Sequence, residues 1–183
     1  MVNGLQAVFI DRDGKMGGTG HFIHPRNFTP YPFSQNAINL LKEQRIKLFA
    51  FTNQHRISLG EATISEFQEE LLSYGFDDAY ICPHSQKGGC TCHKPKLGML
   101  YAAAEKYNLD LTKCVVVGDV GTDMLAAHKV GATKILVLTG WGISSCNEYK
   151  HIWHDIEPDY IADNLLRAVE WILNEYVLHV AGK

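Results

Sequence analysis

Asp11 and Asp13 stand one residue apart at the end of the apolar run Val8-Phe9-Ile10, and Gly14 follows them. In an extended chain, residues two apart point to the same side, so both carboxylates can face one crevice. Gly14 lets the chain turn away without steric cost. Further along, Thr52-Asn53 closes a second apolar run, Lys94 precedes Pro95, and Gly118-Asp119 closes the run Cys114 to Val117, with Asp123 one helical turn later. Singly, each has a plain reading: a turn, a solvated lysine, or a helix N-cap at Asp119. Together and in this order they are a set suited to phosphoryl chemistry. Carboxylates supply a nucleophile and a general acid, and hydroxyl, amide and ammonium donors hold phosphate oxygens.

A second cluster has a different character. Cys82, His84, Cys90 and Cys92 place three thiols and an imidazole within eleven residues. The bland reading is one buried cysteine and two exposed ones. Four soft or borderline ligands at this spacing point instead to a closed structural zinc site of Cys3His type, bracing a loop too small for its own core. His151 and His154 could share a helix face, but nothing nearby completes a site. His21, His24, His55 and His128 read as surface or loop residues, with His55 near the mouth of the crevice.

The elements that must position these residues follow from alternating patterns. Short apolar runs at Gln6–Ile10, Ile46–Phe51, Asp78–Cys82, Cys114–Val117 and Lys134–Leu138 read as five strands. Helical periodicity covers Pro32–Gln44, with Phe33, Ala37, Leu40 and Leu41 on one face. It returns after Thr63-Ile64-Ser65-Glu66, a capping-box pattern, where Ile64, Phe67, Leu71 and Tyr74 form a stripe ended by Gly75. Three more helices are expected, from Pro95 to Tyr107, from Asp123 to Val130 before Gly131, and from Asn164 to Leu178. Residues 139–162, with Trp141, Trp153 and Pro158, lack periodicity and read as an ordered loop over the sheet edge. Strands alternating with helices imply an α/β fold, a Rossmann-like three-layer sandwich around a parallel sheet. In such sheets the ligand crevice lies beyond the carboxyl ends of the strands.

The 183 residues, 46% apolar and 20% charged, suit a single globular domain spanning 1–183. A net charge of −3 offers no basic field for nucleic acid. The run Ala7–Ile10 is too short for a signal peptide, and no segment approaches a membrane span. A cytoplasmic chain is expected, and five cysteines argue against a disulfide framework there.

The ordered set DxDG, T-N, K-P and GDxxxD, spanning residues 9 to 123, resembles the haloacid dehalogenase (HAD) superfamily of phosphatases. The string Cys82-Pro83-His84 followed by Cys90-Thr91-Cys92-His93-Lys94-Pro95 resembles the zinc loop of a subgroup acting on heptose bisphosphate or histidinol phosphate. The resemblance implies a HAD-like fold with a zinc-binding loop. It also implies a phosphoric monoester hydrolase. Asp11 would attack phosphorus to form an aspartyl-phosphate, and Asp13 would shuttle the proton. A magnesium ion would be held by Asp11, Asp119 and the Asp13 backbone carbonyl. Thr52, Asn53 and Lys94 would hold the equatorial oxygens, and Asp123 would orient metal waters or Lys94.

Inserts after the first and second motifs are too short to form a separate cap domain, so loops at 15–28, 54–60 and the zinc loop should set specificity. The expected ligand is a small phosphorylated metabolite of carbohydrate metabolism, handled by a monomer. Heptose 1,7-bisphosphate leads. Histidinol phosphate and a non-catalytic phospho-ligand-binding role are the alternatives. The chain departs from the subgroup at Lys15, in place of the usual threonine, and at Leu59 and His93, in place of arginines. It departs again at Val120, in place of a basic residue. Fewer arginines weaken recognition of a second phosphate, while Lys15 adds positive charge near the nucleophile.

Overall fold

The structure, a computed structural model, describes residues 4–177. Six parallel strands form one sheet: β1 (Ala7–Ile10), β2 (Lys47–Asn53), β3 (Asp78–Cys82), β4 (Cys114–Gly118), β5 (Thr133–Val137) and β6 (Tyr160–Ala162). Their order is β3-β2-β1-β4-β5-β6. The chain builds outward from β1 on one side, then returns to lay β4 against β1 on the other. That reversal puts the switch point, where such sheets bind ligands, at the end of β1.

The apolar runs are continuous because the central strands are covered on both faces. On one face Val8, Ile10, Leu48, Ala50, Val115 and Val117 pack against Ala37, Ile38 and Leu41 of α1 (Ser34–Glu43). Leu165, Ala168, Val169 and Ile172 of α6 (Leu165–Tyr176) pack into the same layer. On the other face Phe9, Phe49, Phe51 and Val116 meet Met99, Leu100 and Ala103 of α3 (Gly98–Tyr107) and Ala126 and Ala127 of α4 (Gly121–Lys129). This is the expected three-layer sandwich. The capping box at Thr63 and Glu66 opens α2 (Ile64–Ser73), with both reciprocal hydrogen bonds formed. Between β5 and β6, Trp153 and Ile156 pack with Met124 and Leu136 in a small separate cluster.

Three expectations need correction. Residues 139–162 are not a plain loop, because they hold α5 (Gly142–Cys146) and the edge strand β6. β6 has only three residues, too few for a period-two pattern to show. The helix expected from Pro95 begins at Gly98. Residues 94–97 fold back instead, with Lys96 N–H donating to His93 O and Gly98 N–H to Thr91 O, which closes the cysteine loop. β2 runs on through Thr52 and Asn53, because both remain paired with β3. The expected end of the last helix at Leu178 lies outside the described residues.

Candidate active site

The carboxyl ends of β1, β2 and β4 converge, and the expected residues arrive with them. Asp11, Asp13, Lys15, Thr52, Asn53, Lys94 and Asp119 line one cleft of about 190 Å³, together with Trp141 from the β5–α5 turn. Gly14 and Gly140 both have positive φ and face each other across the Asp119 carboxylate; a Cβ on either would run into that carboxylate.

Asp11 is buried, and its two oxygens are held differently. Oδ1 accepts the Arg12 backbone N–H at 2.6 Å. Oδ2 lies 2.7 Å from the Lys15 ammonium and 3.0 Å from that of Lys94. Burial alone would push its pKa up, but the two ammoniums override that and hold it well below the usual carboxylate range. Asp11 is thus ionised, the form a nucleophile needs.

Asp13 moves the other way. Burial raises its pKa, and the neighbouring Asp11 charge adds to this, against the lowering effects of Arg12 and Gln54. Arg12 Nη1 holds Asp13 Oδ1 at 2.6 Å and Gln54 Nε2 holds Oδ2 at 2.5 Å. Two adjacent carboxylates with pKa values driven apart are an arrangement in which one can attack and the other can donate a proton.

Arg12 itself is fully buried. It grips both oxygens of Glu70 on α2, at 2.7 and 2.9 Å, and lies 3.8 Å from the Phe28 ring centroid. Sequence reading passed over Arg12, Gln54 and Glu70. Strand alternation does signal that Arg12, between two site carboxylates, points the opposite way. Glu70 is 58 residues away and left no local trace.

Lys94 reaches the cleft from the end of the cysteine loop. Its ammonium donates to Asp123 Oδ1 at 2.7 Å and to the Phe51 carbonyl at 3.0 Å, besides contacting Asp11. Burial would lower its pKa, but Asp11 and Asp123 raise it, so it is a fixed cation. Asp123 uses its second oxygen on the backbone N–H groups of Asp119 and Val120. It therefore orients Lys94 and the turn that carries Asp119.

Asn53 lines the cleft and also holds the cysteine loop. Its side-chain oxygen accepts the Lys94 backbone N–H at 3.0 Å, and its amide faces the Lys94 carbonyl at 3.4 Å. It thereby fixes the Lys94 backbone. Thr52 Oγ1 accepts from Gln54 Nε2 at 3.0 Å, and Thr52 adds to the lowering of the Asp11 pKa.

The expected magnesium seat is where this chain differs most. Lys15 Nζ sits between Asp11 Oδ2 and Asp119 Oδ1, at 2.7 and 2.5 Å. The side chain is 1% exposed. Asp119 Oδ2 accepts the Trp141 N–H at 2.9 Å. Oxygens of Asp11, Asp119 and Asp123 do lie within 4.8 Å of one another, close enough for a shared cation. Magnesium demands oxygens at about 2.0–2.1 Å in near-octahedral array. Here an ammonium fills the space between the two oxygens that would bracket the ion, and the Arg12 and Trp141 N–H groups take the other oxygens of Asp11 and Asp119. As placed here, these side chains do not fit a divalent ion in that seat, where the sequence resemblance implies magnesium.

The cysteine cluster does fit its metal. Single ligand atoms of Cys82, His84, Cys90 and Cys92 all lie within 4.8 Å of one another. Cys82 Sγ is 3.8 Å from Cys90 Sγ and 3.6 Å from His84 Nδ1, and His84 Nδ1 is 3.3 Å from Cys92 Sγ. Zinc–sulfur bonds of about 2.3 Å in a tetrahedron put sulfurs roughly 3.7 Å apart. His93, next to Lys94, also brings Nδ1 to 3.7 Å from Cys82 Sγ. By contrast, His151 and His154 are exposed and their Nδ1 atoms contact the carbonyls of Glu148 and His151. Among the described residues they belong to no metal-ligating group.

Beside the cleft lies a second, apolar hollow of about 260 Å³, lined by Gly121, Ser145, Tyr149 and Ile152. Val120, Thr122 and Trp141 line both spaces, so the two adjoin. Among the described residues no helix is long and apolar enough to cross a membrane.

Residues 91–168 match the HAD-hydrolase-like family model. The D-glycero-beta-D-manno-heptose-1,7-bisphosphate 7-phosphatase of Haemophilus ducreyi is 33% identical, over 92% of this chain and 99% of its own length. The D-glycero-D-manno-heptose-1,7-bisphosphate 7-phosphatase of Thermosynechococcus vestitus is 34% identical, over 91% of this chain and 94% of its own. Among solved structures, the D,D-heptose 1,7-bisphosphate phosphatase of B. bronchiseptica, complexed with magnesium and phosphate, superposes with a TM-score of 0.80. It is 27% identical and covers 93% of this chain and 99% of its own.

Proposed function

The chain belongs to the HAD-like hydrolases, in the family of the heptose-1,7-bisphosphate 7-phosphatases, and on that premise we propose that it hydrolyses a sugar phosphomonoester, with heptose 1,7-bisphosphate as leading substrate. The observation that carries this is the pairing of Asp11 and Asp13. Both line one cleft, with the Lys15 and Lys94 ammoniums 2.7 and 3.0 Å from Asp11 and with Arg12 and Gln54 on Asp13; the ammoniums favour the ionised form of Asp11, while burial raises the pKa of Asp13. In the first step an Asp11 oxygen bonds to phosphorus while the ester P–O bond breaks, and the Asp13 proton passes to the leaving sugar oxygen. In the second, Asp13 takes a proton from water, whose oxygen attacks phosphorus and frees Asp11 and inorganic phosphate. Lys94 places fixed positive charge beside Asp11, against the charge that builds on the transferring oxygens. Thr52 accepts from the Gln54 amide, which also donates to Asp13.

Of the two metals expected from the sequence, zinc stays in this reading, on Cys82, His84, Cys90 and Cys92. A structural zinc has no open position and does no chemistry; it holds a loop in shape. Here that loop runs directly into Lys94, so its folding sets where the ammonium stands. The sugar would rest toward the apolar hollow, where Trp141 offers a face. The superfamily resemblance and the geometry favour turnover over mere binding, because both aspartates are retained and held in the cleft.

A phosphate-release assay on heptose 1,7-bisphosphate, histidinol phosphate and a panel of sugar monophosphates tests this. Release that is fastest with the heptose bisphosphate and absent in Asp11→Asn is expected. Wild-type protein releasing no phosphate from any of them would overturn it.

A further inference from the structure

Holding Asp11 ionised does not exhaust the contacts of Lys15. It follows Gly14, whose φ of +83° turns the chain back beneath the strand ends. A long cationic side chain is thereby carried into a space enclosed by Asp11 and Asp119. An ammonium has three N–H donors. Two are directed at Asp11 Oδ2 and Asp119 Oδ1, and the third has no protein acceptor among the described residues. By comparison, the Lys94 ammonium has three protein partners, Asp11, Asp123 and the Phe51 carbonyl.

We propose that the Lys15 ammonium is the resident cation of this active site: it excludes a divalent ion from between Asp11 and Asp119 and binds a phosphate oxygen itself, so that hydrolysis needs no divalent metal. This rests on the phosphatase reading and deepens it. Charge supports the substitution. The cleft holds the buried carboxylates Asp11, Asp119 and Asp123 against the buried ammoniums Lys15 and Lys94. Without Lys15, three carboxylates would face one ammonium, an arrangement that calls for a further cation. With it, only one negative charge is left over, and the oxygens a metal would take are already bonded. A fixed ammonium also stands where a cation is needed to keep a phosphate dianion from being repelled by Asp11. Its single charge and hydrogen-bonding reach replace the double charge and direct oxygen coordination of a metal, in a water-poor site where one charge counts for more.

Two readouts test this. The first is phosphate release from heptose 1,7-bisphosphate by the zinc-containing protein, in EDTA brief enough to leave zinc bound and in excess magnesium. Equal wild-type rates are expected, with Lys15→Thr regaining a magnesium stimulation of roughly 100-fold, the scale of one preorganised charge. The second is binding of Mn²⁺ followed by electron paramagnetic resonance, which needs no turnover. Wild type should leave added Mn²⁺ free, while Lys15→Thr, and Lys15→Gln as a second variant, should each bind one ion.

Wild-type activity that appears only with magnesium would overturn the inference and leave the phosphatase reading intact. So would stoichiometric Mn²⁺ uptake by wild type that Asp119→Asn abolishes. Wild-type protein inactive in both buffers, with Lys15→Thr active in magnesium, would show that Lys15 displaces the metal without replacing it, and would also overturn the proposal. If no variant releases phosphate from any substrate, the phosphatase reading fails, and with it the catalytic half of this proposal. The Mn²⁺ titrations would then still decide the exclusion.

Discussion

The Lys94 ammonium and the Asp123 carboxylate meet at 2.7 Å with almost no solvent reaching either, one at the end of the cysteine loop and the other on α4. Asp123 also accepts the backbone N–H groups of Asp119 and Val120. One carboxylate thus ties Lys94 to the turn that carries Asp119. Asp123→Asn keeps the shape but removes the charge that holds Lys94. A small misplacement of a catalytic group can cost about 100-fold, and a fall of that order in kcat is expected, with KM changed far less. Steady-state kinetics on the variant, with circular dichroism confirming the fold, checks this.

The pH profile should carry the signature of Asp13. As proton donor it works only while protonated, so kcat/KM falls as pH rises through its pKa. Burial and Asp11 already raise that pKa, while the Gln54 amide lowers it by bonding the ionised form. Gln54→Leu removes a lowering influence, so the alkaline limb should move to higher pH. A limb that stays in place, or moves to lower pH, would show that a different group donates the proton.

Metal analysis of protein purified without added metal should find near-stoichiometric zinc. Cys90→Ser removes one of four ligands and should lose most of that zinc, lower the melting temperature and reduce kcat. The link to kcat is the chain itself, since the loop ends at the residue whose backbone Asn53 holds on both sides. Zinc retained at wild-type level would place the metal elsewhere.

Trp141 contributes separably through its backbone and its ring. Its N–H bonds Asp119, while its indole lines the cleft and the apolar hollow. Trp141→Ala keeps the first and removes the second. An approximately 10-fold rise in KM, worth about 1.4 kcal/mol, with kcat held, is the mark of lost uniform binding. A loss confined to kcat would mean the ring does not contact the sugar.

The parts of this site that sequence reveals are those set by local chain geometry. The carboxylates at the ends of β1 and β4, Thr52 on β2, Lys94 beside Pro95 and the Cys82–Cys92 loop all sit at element boundaries marked by apolar runs, glycine or proline. Their convergence follows from the parallel sheet. What was not legible depends on side chains from distant segments. Nothing near Arg12 announces Glu70, and the side-chain pairing of Asn53 becomes visible only when β2 meets the loop at Lys94. Lys15 was noticed as added positive charge, but its position between two carboxylates 108 residues apart required the folded turn at Gly14. β6 was missed because three residues at a sheet edge carry too little pattern.

The esterification of Asp11 by phosphorus can be observed directly. During a single turnover with heptose 1,7-bisphosphate, acid quenching followed by borohydride reduction converts an aspartyl-phosphate to homoserine, which peptide mass spectrometry locates. Homoserine at position 11, rising and decaying ahead of free phosphate and absent in Asp11→Asn, is the expected result. Phosphate released at the full rate with residue 11 never modified, or with the modification at another carboxylate, would contradict it.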